Sequence, residues 1–146
     1  MERKLIAVDP GLSGGLAWFE DGVVCCAPMP EGMTAQAEKI RQIRFSMGGG
    51  DAIMEKTGGS RPFQSSKATA TFARHCGHIE AILYCLAIPT VQVAPQTWMK
   101  SLGALPADKA ERKKAIKEEM SRRYPHLKVT LKVSDALGLL TYGMAQ

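Results

Sequence analysis

The sequence lacks any apolar run long enough to cross a bilayer. Its first residues lead directly into a predicted strand, so we expect neither a signal peptide nor a membrane anchor. It also shows no internal repeat and no low-complexity segment. A length of 146 residues suits one hydrophobic core and is too short for two, so we expect a single domain spanning 1–146.

Cysteines in a metal-binding spacing are absent as well. Cys25, Cys26, Cys76 and Cys85 contain no CxxC pair. The adjacent Cys25 and Cys26 are poor disulfide partners, because neighbouring strand side chains point to opposite faces. Structural zinc is therefore disfavoured, and reduced thiols in a cytoplasmic protein are the favoured interpretation.

The net charge of +5 is unevenly distributed. Residues 100–132 contain ten Lys or Arg against four acids, a net +6, whereas the rest contains nine against ten, a net −1. One interpretation is a helix that solvates its outer face with charged side chains. The other is a surface that attracts a phosphate polymer. A membrane surface is disfavoured, because no exposed amphipathic anchor accompanies the charge.

Three isolated acids occupy positions where a carboxylate is unfavourable. Asp9 and Glu55 each end a short apolar run, and Asp135 precedes an apolar helical segment. An acid at the tip of a buried strand is destabilising without a positive partner. Three acids drawn together would raise one another's pKa unless a cation joined them. Hard divalent ions with oxygen ligands meet this need, and two of them make a phosphodiester-cleaving site.

Two of the three acids, Asp9 and Asp135, also have a simpler explanation. Asp9 precedes Pro10 and Gly11, so it suits a turn. Asp135 suits the first turn of a helix, where the dipole favours an acid. Glu55 has low strand propensity and caps nothing. The ordered triplet favours metal ligation over these local roles.

Hydrophobic periodicity predicts five strands and four helices in the order βββαβαβαα. The predicted strands span 4–8, 14–19, 23–27, 51–55 and 90–93, and the helices span 35–47, 66–86, 107–123 and a final segment capped by Ser134. Asp21 and Gly22 predict a tight hairpin, and Pro95 a further helix start. This order predicts an α/β fold with a mixed five-stranded sheet and helices on both faces. Ligands in such sheets gather at the carboxyl ends of strands, where two of the three acids lie.

Six segments resemble, in order, the RuvC-type Holliday-junction resolvases, including their short phage and prophage members. They are IAVDPG (6–11), SGGLA (13–17), AIME (52–55), FARHCG (72–77), VAPQTWMK (93–100) and SDAL (134–137). The opening D-x-G alone would be weak, since sugar kinases and actin-like ATPases begin similarly. The ordered set over nearly the whole chain is far more specific. The absence of a second domain disfavours an ATPase.

The resemblance implies a single ribonuclease-H-like nuclease domain that works as a homodimer on four-way and other branched DNA. It implies Mg²⁺, or Mn²⁺ in its place, with two ions per site about 3.5–4 Å apart. Asp9 and Glu55 would bridge or flank the ions, and Asp135 would complete the site. The implied role is DNA recombination and repair in a bacterial or phage-infected cytoplasm, at the nucleoid. RNA processing by the same chemistry, or junction binding without cleavage, are the alternatives.

Lys132 departs from the pattern of the family. The last helix of the family usually carries a second ligand or a base three residues before the acid, on the same helical face. Lys132 occupies that position here. It is a fourth candidate catalytic residue, which would contact the scissile phosphate, orient water, or mark an impaired site; the phosphate contact is favoured. Asp51 and Glu80 are not secure substitutes for the second ligand or base that Lys132 replaces.

Further residues are candidates for DNA contact. The segment 57–63 carries Arg61 for phosphate and Phe63 for stacking on an unpaired base, although Phe63 in the core is an equal alternative. The remaining predicted DNA-binding residues are Lys56, Lys67, Arg74, Lys100, Lys113 and Lys114.

Two other residue types are assigned to structural roles. His75 and His78 have no third ligand at a useful spacing, so we expect exposed helix histidines. Trp98 is expected in the core rather than in a base-stacking position.

Overall fold

The computed structural model describes residues 3–56 and 65–146. Its elements are β1 (Leu5–Asp9), β2 (Gly15–Glu20), β3 (Val23–Pro28), α1 (Met33–Met47), β4 (Asp51–Glu55), α2 (Ser66–Cys85), β5 (Thr90–Val93), α3 (Pro95–Lys100), α4 (Lys109–Arg123) and α5 (Leu131–Met144). The predicted order is confirmed, with α3 as a short separate helix at the proline-led start. Within the described ranges, every helix is too short or too polar to span a membrane.

The five strands form one mixed sheet in the order β3-β2-β1-β4-β5. β1 and β3 both pair antiparallel with β2, whereas β4 pairs parallel with β1 and β5. Asp21 and Gly22 join β2 to β3 with φ angles of 51° and 79°. Positive φ at both central residues is the requirement of a two-residue hairpin turn of type I′, and the tight hairpin that the sequence predicted is confirmed.

Helices cover both faces of the sheet. In β1, Ile6 and Val8 pack with residues of α1 and α2, whereas Leu5 and Ala7 pack with residues of α3, α4 and α5. This division follows from the alternation of side chains along a strand. The predicted α/β architecture is therefore confirmed, and α5 lies on the face that also carries α4.

The predicted start of the last helix was wrong. α5 begins at Leu131 with Thr130 in the N-cap position, four residues before the expected N-cap Ser134. Ser134 is buried, and its hydroxyl donates to the carbonyl oxygen of Thr130 at 2.6 Å. A serine bonded to the carbonyl four residues earlier lies inside a helix rather than at its cap. Asp135 consequently lies in the second turn, where the helix dipole explains an acid poorly.

The charged helix begins two residues later than predicted. Asp108 caps α4 by accepting a hydrogen bond from the backbone N–H of Glu111 at 3.0 Å. Ile116 and Met120 are buried on its inner side, so its outer side carries the charge.

Candidate metal centre

Asp9 and Glu55 end two adjacent parallel strands. In the parallel pairing of β1 with β4, the last paired residues are Val8 and Met54, and the two acids follow them directly. The alternation of strand side chains points both acids toward the face covered by α5. Glu55 is buried and Asp9 is partly buried. The sheet therefore places the two carboxylates close together on one face.

Asp135 completes the cluster from the facing helix. One ligand oxygen from each of Asp9, Glu55 and Asp135 lies within 4.8 Å of the others. Carboxylate oxygens are hard donors, which suit Mg²⁺, Mn²⁺ or Ca²⁺. The donor set thus fits the divalent ion that the sequence predicted.

Two cations of α4 act on this cluster. Burial raises the pKa of Asp135 above its usual value, and the positive charges of Lys113 and Arg112 act in the opposite direction. The basic helix therefore faces the acids rather than only the solvent. Arg112 belongs to the basic segment 100–132, but the sequence did not place it beside Asp135.

The carboxylates lie in a groove with a volume of about 1340 Å³. Segments on both sides of the cluster line it: the turn after β1, the first half of α2, α3 and the start of α4. Its basic lining residues are Lys67, Lys100, Lys109, Arg112 and Lys113. Acids at one point and cations along the walls are the arrangement expected of a site that holds both metal and phosphate.

The predicted DNA contacts divide into three groups. Lys67, Lys100 and Lys113 line the groove. Lys56, Arg74 and Lys114 are exposed but are not among the described residues that line it. The remaining two, Arg61 and Phe63, lie outside the described residues.

Lys132 lies on α5, three residues before Asp135, with its side chain exposed. Among the described residues that line the groove, Lys113 and Arg112 are present and Lys132 is not. The proposed contact between Lys132 and phosphate stays a prediction.

The prediction of an exposed His75 was wrong. His75 is 6% exposed, and the backbone N–H of Gly11 donates to its Nδ1 at 2.8 Å. Its other ring nitrogen contacts the side-chain amide of Gln36. Burial, and to a smaller extent His78, lowers the pKa of His75 and favours its neutral form. His75 therefore anchors the turn that follows Asp9, a tertiary contact that helix periodicity does not reveal.

Trp98 is in the core, as predicted, and it also contacts the acidic cluster. Its side chain is 0% exposed, and its indole N–H donates to Oε2 of Glu55 at 2.9 Å. The sequence interpretation missed this contact. A signal was present, because a buried indole N–H requires an acceptor and the strand bearing Glu55 neighbours the strand that precedes Trp98.

The chain is thus an α/β protein that has a ribonuclease-H-like fold and a cluster of three carboxylates. More specifically, the fold is that of RuvC. A Thermus thermophilus RuvC in complex with a Holliday junction substrate matches with a TM-score of 0.61 and 13% identity, over 97% of this chain and 92% of that one. A second Thermus thermophilus RuvC structure matches with a TM-score of 0.57 and 12% identity, over 95% of this chain and 92% of that one. No protein-family model and no curated protein sequence matches the chain.

Proposed function

We propose that the protein is a divalent-metal-dependent endonuclease that cleaves four-way and other branched DNA. The observation that carries this proposal is the convergence of Asp9, Glu55 and Asp135 within 4.8 Å in a groove walled by cations. The likeness to a RuvC solved with a Holliday junction supports branched DNA as the substrate class.

The three acids would hold the metal, Mg²⁺ or Mn²⁺, with two ions proposed per site. When bound, such ions lower the pKa of water and stabilise the leaving oxygen of the phosphodiester. The protein supplies fixed oxygen ligands on two strand ends and a helix. Arg112 and Lys113 supply positive charge where the phosphate would approach, which offsets repulsion between the phosphate and the acids.

The basic lining of the groove supports a nucleic acid substrate without separating DNA from RNA. Phosphate contacts give affinity that falls steeply with salt, and both polymers carry the same backbone charge. RNA processing is therefore the second candidate. A catalytically weakened junction-binding protein is the third, favoured by the presence of Lys132 at the usual position of a ligand.

The proposed enzyme acts as a homodimer, because two sites related by a two-fold axis suit paired cuts in opposed strands. One face of α2 supports this assembly. Its exposed residues, spaced by three or four, are Ala70, Ala73, Gly77, Ala81 and Tyr84. Small side chains allow a second helix to approach closely. Sedimentation should show a dimer for the natural sequence and a folded monomer for Gly77→Glu; a monomer for the natural sequence would contradict the assembly.

The proposed location is the cytoplasm of a bacterial or phage-infected cell, at the nucleoid. The four cysteines are free thiols, which suits a reducing compartment. The basic lining of the groove suits association with nucleoid DNA.

Comparison of three substrates tests the proposed function. The protein is incubated with a four-way junction, a duplex of the same sequence and a structured RNA, each with Mg²⁺, Mn²⁺ or EDTA. We expect cleavage of the junction alone, dependent on metal and absent from Glu55→Gln. Preferential cleavage of RNA would favour the second candidate. Junction binding without cleavage in either metal would favour the third.

A further inference from the structure

Trp98 connects the two structural elements that carry Glu55 and Asp135. Its indole N–H donates to Glu55 Oε2 at 2.9 Å, in a buried bond. Its ring packs against α5 at Gly138, where an added Cβ would lie 2.5 Å from a ring carbon. Gly138 lies three residues after Asp135, on the same side of the helix. One side chain therefore touches the carboxylate of β4 and the helix of the third acid.

We propose that Trp98 is a positioning residue of the metal centre. Its N–H fixes the orientation of the Glu55 carboxylate, and its ring fixes how closely α5, and with it Asp135, approaches the strand ends. The inference rests on the proposed metal site and adds a residue to which no role in that site has been assigned.

The chemistry of the indole suits this role. An indole N–H donates and does not accept, and it carries no charge, so it binds a carboxylate without competing with a cation for it. The bond uses one carboxylate oxygen and restrains rotation of the group. Hydrogen bonds to ligating side chains typically change metal affinity or activity by about 10–100-fold when they are removed.

Trp18 provides a matched control within the chain. Its indole N–H donates to Glu20 Oε2 at 3.0 Å, and its ring is 8% exposed. It packs in the core on the opposite face of the sheet, with residues of α1 and α2. Replacing either tryptophan with phenylalanine removes one indole donor and a similar amount of buried ring surface. Of these two tryptophans, Trp98 donates to a carboxylate of the cluster and Trp18 donates to Glu20.

Calorimetric titration with Mn²⁺, without DNA, tests the role on the full chain. Trp98→Phe should bind Mn²⁺ about 10–100-fold more weakly than the natural sequence, whereas Trp18→Phe should stay within about twofold. The junction-cleavage kcat of Trp98→Phe should fall while its KM stays unchanged. Where Trp98→Phe is unfolded at the assay temperature, β-(3-benzothienyl)alanine at position 98 replaces the N–H with sulfur and keeps the ring size, and the same loss is expected.

The outcomes separate this inference from the proposed function. Equal Mn²⁺ affinity of Trp98→Phe and the natural sequence, or an equal loss in Trp18→Phe, would overturn the positioning role. A selective loss in Trp98→Phe without cleavage of any substrate would support the positioning role and contradict the proposed function. No Mn²⁺ binding by the natural sequence would overturn both.

Discussion

The acids and the cations of the groove are held in opposite ways. The acids project from buried strand ends and from a helix packed against the sheet, and Glu55 is only 8% exposed. Most of the cations, such as Lys100, Lys109 and Lys113, are exposed on helix surfaces. Metal ligation requires atoms fixed to a fraction of an ångström, whereas attraction of a phosphate chain acts over several ångströms and tolerates mobile side chains. The fold therefore holds the carboxylates rigidly and leaves most of the cations on exposed helix surfaces.

Removing one acid of the cluster should have the largest effect on junction cleavage. We expect Asp9→Asn, Glu55→Gln and Asp135→Asn each to reduce junction cleavage at least about 100-fold, because each loses a metal ligand. Junction binding should stay intact or tighten, because a negative charge near phosphate is removed. Single-turnover cleavage in Mg²⁺ and gel mobility in EDTA measure the two properties.

Asp51 is the matched control for these variants. It lies on the same strand as Glu55 but at the opposite end, and it is exposed. Asp51→Asn should therefore cleave normally. Full cleavage by any of the three variants would remove that acid from the site.

Reversing the charge of one lysine of α4 should weaken junction binding to an extent that depends on where the lysine lies. Lys113 lines the groove, whereas its neighbour Lys114 is exposed and is not among the described lining residues. We expect Lys113→Glu to weaken junction binding more than Lys114→Glu, and to reduce the slope of log K against log salt by about 1. Fluorescence anisotropy over a range of salt concentrations measures both. An unchanged slope for both variants would mean that this helix only faces solvent.

Substitutions of Lys132 test whether the protein cleaves junctions or only binds them. If it contacts the scissile phosphate, Lys132→Ala should lower turnover, by a few-fold given its exposed position. Lys132→Asp should lower turnover as well, because it adds negative charge near the groove. Steady-state cleavage in Mg²⁺ measures both variants. A large gain in activity from Lys132→Asp would instead show that the natural sequence carries a weakened site, in which aspartate restores a ligand.

The smallest expected effect concerns stability without metal. Burial raises the pKa of Asp135 in the folded state, so the folded protein holds this proton more tightly than the unfolded chain. Asp135 therefore contributes most to the stability of the folded state when the pH is below the ordinary pKa of an aspartate in the unfolded chain. The contribution decreases as the pH rises through the raised pKa of the folded state. At pH 7 in EDTA, Asp135→Asn should be more stable, with Tm higher by roughly 2–4 °C for each kcal/mol.

Thermal denaturation across pH checks this prediction. The advantage of Asp135→Asn should disappear at acidic pH, where the natural aspartate is protonated. Adding Mn²⁺ should stabilise the natural sequence and not the variant, because ligands stabilise the state that binds them. A lower Tm for the variant in EDTA at pH 7 would contradict the electrostatic account of the acid.

Local sequence patterns predicted the strands well, because strand formation depends on short-range rules. The predicted bounds of β4 and β5 match the structure, and Asp9 and Glu55 lie together at the carboxyl ends of adjacent strands, with Asp135 within 4.8 Å of both. Local patterns did not predict the position of Ser134 inside α5 or the burial of His75. Ser134 resembles a helix cap, yet it bonds one turn back within α5. His75 is buried by the turn after Asp9, whose approach to α2 depends on the whole fold.

The most direct test of the central claim is the anomalous scattering of Mn²⁺ in crystals of the protein. The account predicts one or two Mn²⁺ peaks bound by oxygens of Asp9, Glu55 and Asp135, at about 2.0–2.6 Å. It also predicts that the peaks vanish in Glu55→Gln crystals grown under the same conditions. Mn²⁺ bound elsewhere, or an empty carboxylate cluster at saturating Mn²⁺, would contradict it.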